Sequence, residues 1–228
     1  MIDPAILQKY PKEKIDEAIA FLTYKNTAVM PKEELQGVPT LYVFRHGQTT
    51  DNAEMVFSGW RDVDLTEKGV RQAEELAEKL KNKKVDMLVV SDMKRALHTM
   101  EIAISKNEVA KKLVILKDSR IKERCYGDLQ GTSKLLLQLE NPTLSHDYRR
   151  SYDVIPPNGE SIEMVVKRVQ EFIDEIIPRM KAFNINVAVS CHGNSIRGFR
   201  QHFEHLTNEE TATLESPLGQ DYLAYAVK

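Results

Sequence analysis

Short apolar runs separated by stretches of helical period constrain this chain more than any other feature. Leu41-Tyr42-Val43-Phe44 and the runs at 85–90, 113–116 and 187–190 are strand-length, and none alternates as a strand wet on one face would. Between the first two runs, Val70, Ala73, Leu76, Ala77 and Leu80 keep one face of a helix over 66–83, with Thr66 placed to cap it. Ala96, Met100 and Ala103 repeat at spacings of four and three over 95–105. Ile162, Val165, Val166, Val169, Phe172, Ile173 and Ile176 make the broadest stripe, over 161–177, which Pro178 is expected to end or kink. Strands alternating with helices in this way imply an α/β three-layer sandwich: a mostly parallel central sheet flanked by helices.

Residues 1–38 read differently. Ile15, Ala18, Ile19 and Leu22 repeat at helical spacing between Pro11 and the polar exit Lys25-Asn26, so one amphipathic helix is expected, followed by a linker punctuated by Pro31, Gly37 and Pro39. The chain divides into an N-terminal helical extension, 1–38, and a main domain, 39–228. Within that domain 131–158 is a long excursion rich in charge and proline, read as a lid or substrate-facing insertion. With 42% hydrophobic and 29% charged positions, 228 residues can bury a core, which excludes disorder throughout. A net charge of -2 argues against a nucleic-acid or anionic-membrane coat, and the apolar runs fall far short of the roughly 20 residues of a bilayer span. Cys125 and Cys191 form no Cys-x-x-Cys pair and the first ten residues carry no secretory pattern, so a cytoplasmic location is expected.

In an open α/β sheet, ligands bind beyond the carboxyl ends of the strands. Two expected strands end in similar polar clusters, Arg45-His46-Gly47 and Cys191-His192-Gly193-Asn194, and Lys94-Arg95 follows a third. A histidine set directly after a buried strand is rigidly placed, and a following glycine lets backbone N–H groups approach an anion. One His-Gly is more often a turn; the doubled pattern with arginines beside it points to a shared phosphate. His202 and His205 lack a third metal ligand, and His98 and His146 read as structural or solvated.

The run Arg45-His46-Gly47-Gln48-Thr49-Thr50-Asp51-Asn52 resembles the signature of the histidine phosphatase superfamily. The stretch 57–69, Lys94-Arg95-Ala96-Leu97-His98-Thr99, Glu123-Arg124-Cys125-Tyr126-Gly127 and His192-Gly193-Asn194-Ser195-Ile196-Arg197 are similar to the cofactor-dependent (2,3-bisphosphoglycerate-dependent) phosphoglycerate mutases. The resemblance covers about residue 41 onward and implies a phosphoglycerate mutase-like fold. It implies that His46 is a nucleophile that becomes phosphohistidine, that Glu123 exchanges the proton of the substrate hydroxyl, and that Arg45, Arg95 and His192 hold the transferring phosphoryl group. It further implies substrate contacts by Asn52, Ser58, Gly59, Tyr126, Lys134, Arg149, Arg150, Gly193 and Asn194. A raised pKa is expected for Glu123 beside a phosphate. The implied activity is interconversion of 3-phosphoglycerate and 2-phosphoglycerate, primed by 2,3-bisphosphoglycerate without a metal, in a homodimer or homotetramer.

Three departures from the mutase pattern bear on the reaction. Cys125 stands where these mutases commonly have histidine, the stretch Pro156-Pro157-Asn158-Gly159-Glu160-Ser161 is short and resembles the superfamily's phosphatases, and little sequence follows Ser216-Pro217-Leu218-Gly219 to cover the site. Phosphate leakage to water is the expected result. The alternative activity is hydrolysis of a small phosphorylated metabolite. A catalytically silent scaffold is disfavoured because both His46 and Glu123 are present.

Overall fold

The computed structural model describes residues 4–23 and 29–228. In chain order the elements are α1 (Pro4–Lys9), α2 (Lys12–Leu22), β1 (Thr40–Arg45), α3 (Thr50–Ala53), α4 (Glu67–Leu80), β2 (Met87–Val90), α5 (Lys94–Ala103), β3 (Ile115–Lys117), α6 (Lys134–Glu140), α7 (Pro142–Arg150), α8 (Ile162–Phe183), β4 (Val187–Cys191), α9 (Gly193–Glu204), α10 (Asn208–Thr213) and β5 (Leu223–Ala226). The strands form one sheet in the order β3-β2-β4-β1-β5. All neighbours are parallel except β5, which runs antiparallel to β1.

Side chains alternate across the sheet and so feed two cores. Leu41, Val43, Val89, Val187, Val189, Leu223 and Tyr225 pack with α8 and α9 on one face. Tyr42, Phe44, Leu88, Val90, Ala188 and Ala224 pack with α4 and α5 on the other. This is the three-layer α/β arrangement that the alternation of short runs and helices implied. Thr66 caps α4 as expected, its side chain accepting from Gly69 N, and Ser161 does the same for α8 through Met164 N.

Two sequence expectations need correction. Pro178 does not end α8, which continues to Phe183 and closes on Asn184 in the left-handed region at φ 50°. Ile176 and Met180 on either side are buried in the core, and that packing offsets the one helix hydrogen bond a proline removes. The apolar run at 113–116 gives an edge strand rather than a buried one: Val114 is 78% exposed and Leu116 42%.

The N-terminal region holds two helices, α1 and α2, rather than one. The exit at Lys25-Asn26 lies outside the described residues. Ile15, Ala18 and Leu22 are buried as their spacing implied, and with Ile6 they meet Leu135 of α6 to form a third, smaller core. The excursion is thus a pair of helices, α6 and α7, with α2 laid against the first. The linker that follows is structured too: Glu33 N donates to Ala224 O at 2.9 Å and Ala224 N to Pro31 O at 2.8 Å, which covers the outer edge of β5. Among the described residues no helix is long and apolar enough to cross a membrane.

Candidate active site

The order β2-β4-β1 sets the carboxyl ends of three parallel strands side by side. His46 follows β1, His192 follows β4, Ser91 follows β2, and Arg95 sits in the first turn of α5. His46 N donates to Cys191 O at 3.1 Å, so the two histidine-bearing turns are locked by backbone, and their ring centroids lie 5.1 Å apart.

Hydrogen bonding fixes what each ring can do. His46 Nδ1 lies 2.7 Å from Gly47 O, a carbonyl that can only accept, so Nδ1 carries the proton and Nε2 keeps its lone pair. Burial, then the positive charges of Arg95 and Arg45, push the pKa of His46 well below 6.5, which keeps the ring neutral. His192 is held the same way, chiefly by burial and then by Arg95. Its Nε2 lies 2.7 Å from Ser91 Oγ, while its Nδ1 has no partner among the described residues.

Both arginines are anchored by carbonyls. Arg95 donates through Nη1 to Arg61 O and through Nη2 to Gly59 O, each at 2.8 Å, and its buried Nε has no partner among the described residues. Arg45 donates through Nη1 to Ser216 O at 3.0 Å. A Cβ on Gly193 would lie 3.3 Å from Arg45 Cζ, so the first residue of α9 leaves the guanidinium its place. The turn beneath His46 depends on a tighter approach: a Cβ on Gly47 would meet Gly69 O at 2.3 Å, and one on Gly219 would meet Gly47 N at 2.7 Å. Gly219 N donates to His46 O at 3.1 Å across that contact.

Glu123 Oε1 accepts from Arg124 N at 2.8 Å, Asn194 N at 3.2 Å and Asn194 Nδ2 at 2.9 Å. Burial alone would raise its pKa, but the Arg124 N–H, the charge of Arg45, the Asn194 amide and Arg95 outweigh that and hold it below 4.5. The expected raised value is therefore not what the pocket alone produces; two guanidinium groups with no phosphate between them favour the carboxylate. His46, Glu123 and His192 each offer one ligand atom, all within 4.8 Å of one another. Three such groups can hold a metal ion, but the charges of Arg45 and Arg95 beside them favour an anion.

Further out, the pocket is lined by Leu22, Asn52, Met55, Ser58, Gly59, Tyr126, Lys134, Arg149, Arg150, Gly193, Asn194, Arg197, Leu214, Glu215 and Ser216. Every site residue singled out from the sequence lines it except His192, which is fully buried, though one of its ring nitrogens lies within 4.8 Å of the lining groups of His46 and Glu123. Lys134 opens α6, with its N–H on Met55 O at 2.8 Å, and Arg149 and Arg150 close α7. The end of α7 is strapped to the catalytic loop by Arg124, fully buried, which donates to Tyr148 O, Val154 O and Glu160 O at 2.8, 2.9 and 2.6 Å. Cys125 takes a structural part, accepting from Gly127 N at 3.4 Å.

Sequence reasoning passed over Leu22, Met55, Arg197, Leu214, Glu215 and Ser216 as pocket residues. Arg197 had a signal, since it lies three residues after Asn194 on one helix and reaches Asn194 Oδ1 at 2.9 Å. Leu22, which the helical spacing places on the apolar face of α2, serves both the small core and the pocket.

Two buried neutral histidines, two anchored arginines and one carboxylate near the ends of parallel strands form a site suited to an anion. The sequence model described as the histidine phosphatase superfamily (branch 1) matches residues 41–220, and the chain belongs to this superfamily. A 2,3-bisphosphoglycerate-dependent phosphoglycerate mutase of Rhizobium rhizogenes is 38% identical over 185 residues, 79% of this chain and 86% of that protein. A similarly named mutase 1 of Arabidopsis thaliana is 32% identical over 241 residues, covering 90% of this chain and 72% of its own. Among solved structures, a mycobacterial glucosyl-3-phosphoglycerate phosphatase superposes with a TM-score of 0.71 at 26% identity, covering 82% of this chain and 92% of that one. The protein is therefore an enzyme of a superfamily whose members named here include both mutases and phosphatases.

Proposed function

We propose that this enzyme interconverts 3-phosphoglycerate and 2-phosphoglycerate through a phosphohistidine at His46, primed by 2,3-bisphosphoglycerate. The observation that carries the reading is one pocket with two groups of cations: Arg45 and Arg95 beside His46, and Lys134, Arg149 and Arg150 from α6 and α7. Phosphoglycerates are anionic at both ends, and the first group alone would serve any phosphate ester. The relatives named as mutases support the same choice.

His46 Nε2 attacks phosphorus as the ester P–O bond breaks, and Glu123, having gained a proton, gives it to the departing oxygen. Arg45, Arg95 and the free Nδ1–H of His192 hold the three equatorial oxygens. For His192 to donate from Nδ1, its Nε2 must accept from Ser91 Oγ–H, which the 2.7 Å contact allows. A phosphate dianion between the arginines offsets the charges that depress Glu123, so substrate binding itself raises that carboxyl toward the acid form. In the second half-reaction Glu123 takes the proton from the other hydroxyl as the phosphoryl group leaves Nε2. When bound, 2,3-bisphosphoglycerate supplies the first phosphoryl group. The pocket fits such a ligand: the buried Ser58 Oγ, Arg95 Nε, His192 Nδ1 and Ser216 Oγ lack partners among the described residues, and its oxygens would satisfy them.

The phosphatase reading replaces the second hydroxyl by water, and the solved phosphatase neighbour favours it. One experiment separates them: 3-phosphoglycerate supplied with and without 2,3-bisphosphoglycerate, with 2-phosphoglycerate and free phosphate measured together. Isomerisation dependent on the bisphosphate, with slower phosphate release beside it, is the expected result. Phosphate release far faster than isomerisation would move the assignment to phosphatase.

A further inference from the structure

Arg150, implied to bind substrate, is already engaged. It lines the pocket at the end of α7, and its Nη2 makes a close ion pair with Glu215 Oε1, from the segment that follows α10. Both side chains are largely shielded, at 15% and 22% exposed, so solvent screens the pair weakly.

The wall around Glu215 is held on both sides. Arg197 Nε donates to Leu214 O at 3.0 Å and Arg45 Nη1 donates to Ser216 O at 3.0 Å, so the carbonyls flanking Glu215 are fixed by two arginines that themselves line the pocket. Those bonds hold the main chain of Glu215, and its carboxylate is held by Arg150. An incoming anion here therefore meets a negative charge and an arginine whose charge is already matched.

We propose that Glu215 is a specificity-determining residue that sets how much negative charge the far end of the substrate can carry. With Glu215 in place, a second phosphoryl group at this end is penalised because it must share Arg150 with Glu215, and a carboxylate, with its smaller charge, is penalised less. The inference rests on the phosphoglycerate reading of the pocket and deepens it: Glu215 tilts the enzyme toward monophosphates and makes the bisphosphate a weaker ligand than the cation count suggests. Discrimination by an unfavourable charge contact is a general route to specificity.

The test measures calorimetric binding of three ligands in a His46→Ala background, which prevents turnover: a phosphate monoester with an uncharged far end, 3-phosphoglycerate, and 2,3-bisphosphoglycerate. Glu215→Gln keeps the shape and can still accept from Arg150 while removing the charge. Its ratio of bisphosphate to uncharged-ended affinity should rise about tenfold, with 3-phosphoglycerate showing a smaller rise, roughly threefold. Glu215→Asp, which keeps the charge, should leave the ratio near the parent's and so separates charge from shape. A ratio that Glu215→Gln does not move, or an equal gain for all three ligands, overturns the inference while the phosphoglycerate reading stands. Failure of the parent to bind either phosphoglycerate overturns both.

Discussion

Around the two histidines, the groups of the inner pocket are placed by backbone at the ends of adjacent strands, and Arg95 is fixed by two carbonyls. In the outer pocket, Lys134, Arg149 and Arg150 ride on two short helices, α6 and α7, whose support comes from α2 and from the Arg124 strap. The inner half belongs to the sheet, with the main cores directly beneath it; the outer half rests on a small separate core of Ile6, Ile15, Ala18, Leu22 and Leu135. In the proposed reaction, chemistry and substrate choice are thus carried by parts of the molecule with different mechanical support. Changes in the first should appear in kcat, and changes in the second in KM.

The sharpest cut is at the nucleophile. His46→Ala should lose turnover by roughly four orders of magnitude or more, and acid-quench labelling with bisphosphoglycerate should find no protein-bound phosphoryl group. A label retained in that variant would place the nucleophile elsewhere. In the proposed reaction Arg95 donates to a phosphoryl oxygen, so Arg95→Ala should cost about a hundredfold in kcat; near-parental turnover would end that role. Lys134→Ala, in the outer half, should instead raise KM by about tenfold with a smaller change in kcat. If both parameters fell together, the division between the halves would not hold.

A weaker perturbation reaches the outer half from outside it. Ile15→Ala opens a gap between α2 and α6 and should cost about 2–5 kcal/mol of local stability. KM should rise a few-fold, because Leu22 lines the pocket and the Arg149 guanidinium lies 5.9 Å from the Phe21 ring. Steady-state kinetics well below the melting temperature, beside a thermal unfolding scan, would check it; destabilisation with unchanged KM would reduce α2 to a prop. The smallest effect is on pH. Unfolded His46 and His192 would take up protons as the pH drops through about 6.5, whereas the folded rings resist. The folded state binds fewer protons there, so the unfolding midpoint should fall as the pH goes from 7.5 to 5.5. His46→Gln should flatten that slope, and a slope unchanged by the substitution would contradict the depressed pKa.

The inner half was far more legible in the sequence than the outer. β1, α4 and α8 announce themselves because buried apolar residues recur at fixed spacing, and the motifs at their ends fall where an open sheet binds ligands. The outer half depends on contacts that no local pattern encodes. Nothing near Glu215 in the sequence says that it meets Arg150, 65 residues away. β5 went unread because Leu223, Ala224, Tyr225 and Ala226 make a four-residue run half of alanine, a residue with little strand preference, and its identity as a strand comes from pairing with β1. Pro178 misled because its local penalty is real but smaller than the burial of Ile176 and Met180 around it.

The glycine contact under His46 joins positions 47, 69 and 219, distant in sequence and touching backbone to backbone. Contacts between such distant positions carry a loop-closure cost and slow folding. During synthesis, a chain that has not yet reached residue 219 has His46 and Glu123 but lacks the segment that donates to the His46 carbonyl and receives Arg45 at Ser216. Under the proposed reaction, such a chain would lack two of the contacts that set the inner pocket around His46. Competence would then require the docking of 214–219 as well as the making of His46.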